Sequence, residues 1–201
     1  MKFIGITGGI GAGKSLIIRY IESHYRAKVY LADDVAKQLQ EPGSPAFPKL
    51  VEALGSDVLQ PDGWIDKRKM ADRIYADPAL RQKVNEILHP AVRIFLTEAL
   101  EAERAEGITE LFFVEAALLI EAGYVGVLDE LWYVYAPEEV RIRRLMESRG
   151  YSEEKARSIM ASQLPDAEFR KYSDFVIDNG GSPEEAFARI REKLEAYTWL
   201  E

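Results

Sequence analysis

Apolar residues along this 201-residue chain fall into two arrangements. Short unbroken runs occupy 2–7 (KFIGIT), 29–31 (VYL), 110–114 (ELFFV), 131–135 (LWYVY) and 175–177 (FVI). Runs this brief, rich in β-branched and aromatic residues, predict strands buried on both faces. Between them the spacing is helical: Leu16, Ile17, Tyr20 and Ile21 share one face of 15–24, and a second helical stretch covers 33 to about 40. Strands alternating with helices predict an α/β fold, a parallel sheet covered on both sides in three layers, with ligands beyond the carboxyl ends of the strands.

The alternation stops in the middle of the chain. Pro42-Gly43, Pro45 and Pro48 loosen the segment after the second helix, and from 46 to about 104 the patterns are helical with almost no strand signal (FPKLVEALG, DKRKMADRIYA, PALRQKVNEILHPAVRIFLTEALEAERA). We therefore expect a helical lobe, 41–107, inserted into a core made of 1–40 and 108–201. Asp62-Gly63 marks a turn within the lobe, and Pro90 is expected to bend the helix that carries it. In the core, Pro137-Glu138-Glu139 starts an arginine-rich helix that ends near Arg149-Gly150, and another starts at Ser152. Ser182, Pro183 and Glu185 supply an N-cap, a first-turn proline and a capping-box glutamate for the closing helix. The helices at about 141–165 would suit a mobile lid.

Composition narrows the chemistry. A 47% hydrophobic content supports one substantial core, and the absence of cysteine excludes disulfides, thiolate metal sites and a cysteine nucleophile. The opening MKFIGITGG has no export-signal pattern, and no stretch is apolar for the ~20 residues of a membrane span, so we expect a cytoplasmic protein with no membrane partner. A net charge of −8 argues against nucleic-acid binding through a broad basic surface. No obligate protein partner is evident. Taken singly, Lys67-Arg68-Lys69, Arg141-Arg143-Arg144 and Arg170-Lys171 read as solvated helix faces.

One local motif stands out. Gly8-Gly9-Ile10-Gly11-Ala12-Gly13-Lys14-Ser15 matches G-x-x-x-x-G-K-[ST] between a predicted strand and a predicted helix. Bare main chain can turn its amides around phosphate oxygens, the helix N-terminus adds positive potential, Lys14 reaches the β- and γ-phosphates, and Ser15 offers a hydroxyl to Mg2+. A nucleoside triphosphate with Mg2+ is expected, with Gly8, Gly9, Gly11, Ala12, Gly13, Lys14, Ser15 and Leu16 forming the nucleotide site. Asp33 follows the second strand, where a carboxylate could accept a hydroxyl proton or simply cap a helix. Glu115 ends the FFV run, in the place of a magnesium-shell acid or of a solvated carboxylate. Arg141, Arg143, Arg144 and Arg149 offer planar donor forks to a transferring phosphoryl group. His89-Pro90, within a helical stretch, says little by itself.

In chain order, TGGIGAGKS, ADDVAKQL, EPGSPAF, LHP, ALLIEAGY, RGYSEEKA with Ser162-Gln163, and VIDNGGSPEEA resemble the dephospho-coenzyme A kinase family nearly end to end. The resemblance implies a P-loop kinase fold with a helical substrate-binding lobe and a lid. It also implies ATP-dependent phosphorylation of the ribose 3'-hydroxyl of dephospho-coenzyme A to give coenzyme A and ADP, the last step of coenzyme A synthesis. It assigns catalysis to Asp33, Lys14, Arg144 and Arg149, acceptor binding to Asp33, His89 and Pro90, the metal to Ser15 and Glu115, and adenine contact to Asn179. Three departures accompany it: Leu31-Ala32-Asp33 replaces D-A-D, Glu115-Ala116-Ala117 opens the segment usually written D-x-P, and Leu16 follows Ser15 where a second hydroxyl is common. Another P-loop kinase of small molecules or nucleotides, and a nucleotide-binding regulatory module without transfer activity, remain alternatives at this point.

Overall fold

A computed structural model describes residues 1–197; positions 198–201, the end of the expected core span, lie outside the described residues. Five strands, β1 (Lys2–Thr7), β2 (Ala27–Leu31), β3 (Leu111–Glu115), β4 (Glu130–Tyr135) and β5 (Phe175–Asp178), form one parallel sheet in the order β2-β3-β1-β4-β5. The helices are α1 (Lys14–His24), α2 (Ala32–Gln38), α3 (Phe47–Leu54), α4 (Lys67–Ala76), α5 (Pro78–Glu106), α6 (Glu138–Arg149), α7 (Glu153–Ala161), α8 (Asp166–Tyr172) and α9 (Pro183–Glu195). Packing divides the chain into two compact units, Met1–Val29 with Glu103–Glu201, and Tyr30–Ala102.

In the first unit, β1 stands at the middle of the sheet, with Ile6 in register beside Glu115 of β3 and Trp132 of β4. Successive strand residues face opposite sides. On one side Ile4, Ile6, Phe113, Trp132 and Val134 pack with Ile17 and Ile21 of α1 and with Ala186, Ile190 and Leu194 of α9. On the other, Leu119, Leu128 and Leu131 close over Gly5, where a Cβ would stand within 2.9 Å of each. There Phe169 of α8 stacks on Tyr133 with ring centroids 4.8 Å apart. Burial on both faces explains why the central strands are unbroken apolar runs. The chain turns from one flank of β1 to the other after β3, so the strand order reverses beside β1.

Local signals account for the helix ends. Ser182 and Glu185 form the expected capping box of α9, and Ser152 caps α7. Gly150 closes α6 in a left-handed conformation at φ 63°. The seven-residue α8 carries too short a pattern to stand out in the sequence.

The second unit is helical. Val84, Leu88, Val92, Leu96 and Leu100 of α5 are buried at intervals of four, a single apolar stripe. Asp66 caps α4 by accepting from the amides of Arg68 and Lys69. The expected Asp62-Gly63 turn joins Leu59 and Ile65, which form an isolated antiparallel bridge. Pro90 does not end its helix: α5 runs unbroken through it. Pro90 and Glu86 are both exposed, so the Glu86 carbonyl that loses a donor can bond water. Among the described residues no helix is long and apolar enough to cross a membrane.

At the amino end of β4, far along the strand from its ligand-facing end, a polar cluster pins β4 and β1 to the C-terminal helix. Glu130, 8% exposed, accepts from Lys2 Nζ, Trp132 Nε1, Tyr197 Oη and Lys193 Nζ. Burial pushes its carboxyl pKa up, but the four donors outweigh burial and hold it down to about 2, from an ordinary 4.5. The folded value lies below the unfolded one, so this cluster stabilises the fold above about pH 4.5 and that stability is lost as pH falls toward about 2. Its size is on the order of 3 kcal/mol. Denaturation curves recorded from about pH 5 down to about pH 2 should therefore lose more stability in the wild type than in Glu130→Gln, whose amide does not titrate. Parallel pH dependence in the two proteins would remove Glu130 from this account.

Candidate functional site

The glycine loop leaves the carboxyl end of β1 beside the reversal of strand order and runs directly into α1. Gly13 is the N-cap of α1, with φ 92°, a left-handed conformation that side chains disfavour. A Cβ on Gly13 would stand 2.2 Å from Nδ2 of Asn179. The N-terminus of α1 therefore has no side-chain cap, and its partial positive charge is left for an anion.

Side chains hold the loop from outside through its carbonyls. Lys14 Nζ donates to the Gly8 carbonyl at 2.8 Å, Arg141 Nε to that of Ile10 at 2.8 Å, and Asn179 Nδ2 to that of Ala12 at 2.7 Å. Arg144 adds a longer bond to Ala12 at 3.4 Å and donates to the Asn179 carbonyl at 2.9 Å. Arg141 crosses the loop so closely that a Cβ on Gly9 would stand 2.2 Å from its Nη2. Burial pulls the Arg141 pKa below the usual arginine value, against the opposing pull of Tyr133, Glu138 and Asp166. Asn179 is 1% exposed, and its Oδ1 is buried with no hydrogen-bond partner among the described residues.

Two acids and a hydroxyl complete the inventory. Lys14 Nζ stands 3.4 Å from Glu115 Oε1 at the end of β3, with side chains only 14% and 17% exposed. The extra methylene of glutamate still brings an acid to the lysine. Ser15 is exposed in the first turn of α1, and Leu16, half-buried, bonds its amide to the Gly13 carbonyl at 3.0 Å. Among the described residues no group of three or more His, Asp or Glu could hold a metal ion alone. One hydroxyl and one carboxylate suit a magnesium ion that arrives with phosphate oxygens of its own.

Other expected residues lie elsewhere. Arg149 is exposed at the last position of α6, and Arg143 is exposed on the same helix. Gln163, just beyond α7, accepts from the Ile10 amide at 2.9 Å; sequence reasoning quoted it within a motif and gave it no role. In the helical unit, Asp33 is exposed in the first turn of α2, whose N-cap is Leu31, so Asp33 is not the capping residue. His89 and Pro90 are exposed neighbours on α5. Pro90 borders an open groove of about 500 Å³ whose walls include Leu39, Ala46, Ile87, Ile94 and Phe95.

The comparisons with known proteins agree on one family. A family model described as dephospho-CoA kinase matches residues 2–185. The chain is 40% identical over 192 residues to a dephospho-CoA kinase of Geobacter sulfurreducens, covering 96% of each chain. It is 38% identical over 196 residues to one of Anaeromyxobacter dehalogenans, covering 98% of this chain and 92% of that one. Among solved structures, that of a Thermus thermophilus protein is similar at a TM-score of 0.80 and 30% identity, covering 98% of this chain and 97% of the other.

The bond from Asn179 to Ala12 yields a direct check. Asn179→Ala would strip a carbonyl of the loop of its short donor, a loss of about 1–3 kcal/mol. For a chain of this size the melting temperature should fall by roughly 2–10 °C. An unchanged melting temperature would show that this amide does not hold the loop.

Proposed function

The chain belongs to the dephospho-CoA kinase family, and from that premise we propose that it transfers the γ-phosphate of ATP to the ribose 3'-hydroxyl of dephospho-coenzyme A, giving coenzyme A and ADP. Membership across nearly the whole chain favours this reading over another P-loop kinase and over a module without transfer activity. The observation that carries it at the level of the site is the uncapped N-terminus of α1 behind a glycine loop whose carbonyls are bonded outward.

In this reading the phosphates of ATP lie against the loop from Gly8 to Ser15, with Leu16 behind them. Lys14 exchanges its contacts with the Gly8 carbonyl and Glu115 for β- and γ-phosphate oxygens. Mg2+, held by Ser15 with Glu115 beside it, would neutralise charge on those oxygens. The buried Oδ1 of Asn179 is an acceptor in want of a donor, which fits an amino group of adenine.

Asp33 takes the proton of the 3'-hydroxyl as the oxygen attacks the γ-phosphorus in line with the leaving bridge oxygen. His89 and Pro90 bind the acceptor from the helical lobe, 41–107, and the apolar groove at Pro90 suits its uncharged arm. Arg149, on the lid at about 141–165, meets charge developing on the equatorial oxygens, while Arg144 acts through the Ala12 and Asn179 carbonyls it already holds. Excluding water at closure protects ATP from hydrolysis.

Two substitutions test the assignment. Asp33→Asn keeps shape and loses the acceptor of the proton, so kcat at saturating ATP should fall by about 10²–10⁴. Turnover near the wild-type value would remove Asp33 as base. Lys14→Met should lower kcat by roughly 100-fold or more, while its melting temperature falls no further than that of Asn179→Ala, since each loses one bond to a loop carbonyl. A collapse of stability instead would make Lys14 a structural residue.

A further inference from the structure

Ile10, at the crest of the glycine loop, is held by the chain between positions 141 and 163 in three ways. Its carbonyl accepts from Arg141 Nε at 2.8 Å, and its amide donates to Gln163 Oε1 at 2.9 Å. Its side chain packs with Ile142 and Leu145 of α6 and Ala156 of α7, a small apolar cluster of its own. Arg141 Nη2 also donates to Gln163 Oε1 at 3.1 Å, which closes a ring of three residues.

The two bonds on Ile10 belong to different peptide units, Gly9–Ile10 and Ile10–Gly11. With one unit held by its N–H and the next by its C=O, neither can rotate without breaking a bond. Rotation of either would turn the amides of the loop away from a bound phosphate. Ile10 is the one position from Gly8 to Leu16 not assigned to the nucleotide, so a bond to its amide braces the loop without taking a phosphate's place.

We propose that Gln163 is a positioning residue that latches the nucleotide loop to α6 and to the end of α7 through Ile10. The glutamine oxygen thereby adds to the direct Arg141 bond and the apolar contacts that couple the loop to the arginine-bearing helix. The proposal rests on the reading of the loop as the ATP site and adds a residue that touches neither substrate.

The test compares wild type, Gln163→Leu, Gln163→Glu and Ile10→Ala. Leucine approximates the volume of glutamine and accepts nothing, whereas a glutamate oxygen can accept from both the Ile10 amide and Arg141. Gln163→Leu should raise KM for ATP, and the calorimetric Kd for a non-hydrolysable ATP analogue, about tenfold, with kcat lowered less. It should also raise the ADP released by transfer to water per coenzyme A formed. Gln163→Glu should restore both quantities most of the way to wild type, and Ile10→Ala should shift KM in the same direction as leucine. Wild-type values of Kd and of the ADP ratio in Gln163→Leu, or a glutamate variant as impaired as leucine, would overturn the latch. If the wild-type protein releases no ADP in response to dephospho-coenzyme A, the functional reading fails, and the analogue Kd of the same variants still decides the latch.

Discussion

A loop can offer its amides to phosphate only if its carbonyls are satisfied elsewhere, and this requirement organises the first unit. The carbonyls of Gly8, Ile10 and Ala12 accept from Lys14, Arg141 and Asn179. Each donor comes from a different place: the start of α1, the start of α6 and the position just after β5. An unsatisfied buried carbonyl costs more than a made bond contributes, so Arg141 and Asn179, whose bonds remain when Lys14 turns to phosphate, hold the loop's orientation more firmly than its own glycines could. Glycine permits the turn; the surrounding side chains select it.

Those donors arrive correctly because the sheet beneath them is rigid. Parallel pairing of β1 with β3 and β4 sets Glu115 and the loop side by side, and β4 with β5 brings Asn179 under Gly13. The central strands are buried on both faces, where packing tolerates little displacement. The Glu130 cluster secures the opposite end of β4 to β1 and to the C-terminal segment through Lys2, Lys193 and Tyr197. Charge is thus concentrated at both ends of the sheet, with different work at each: one end holds elements together, the other leaves a helix terminus open for an anion.

The three departures from the family pattern have modest local consequences. Glu115 reaches Lys14 despite its greater length. Leu31 caps α2 without a side-chain bond and is 36% exposed, so no second carboxylate stands beside Asp33 at that position. Leu16 keeps its amide bond to Gly13 and gives up only a hydroxyl. At Leu31 and Leu16 the main chain performs what the local geometry requires, which is why a side-chain change there leaves the elements intact.

What the sequence by itself determined about this protein is what depends on neighbours in the chain. The strand runs, the capping box at Ser182 and Glu185, the cap at Ser152 and the glycine loop between β1 and α1 are each written within a few residues, because helix caps, tight turns and short apolar runs are short-range physics. The short α8 was not legible, since it depends on what packs around it, whereas the helical pattern on both sides of Pro90 did place that proline inside one helix. Only the tertiary structure decided which two of four clustered arginines meet the loop, that Asn179 spends its amide on Ala12, and that Gln163 grips Ile10 from 153 residues away. The reason is physical: a hydrogen bond between distant segments is specified by the packing that brings them within about 3 Å, and no local pattern carries that distance.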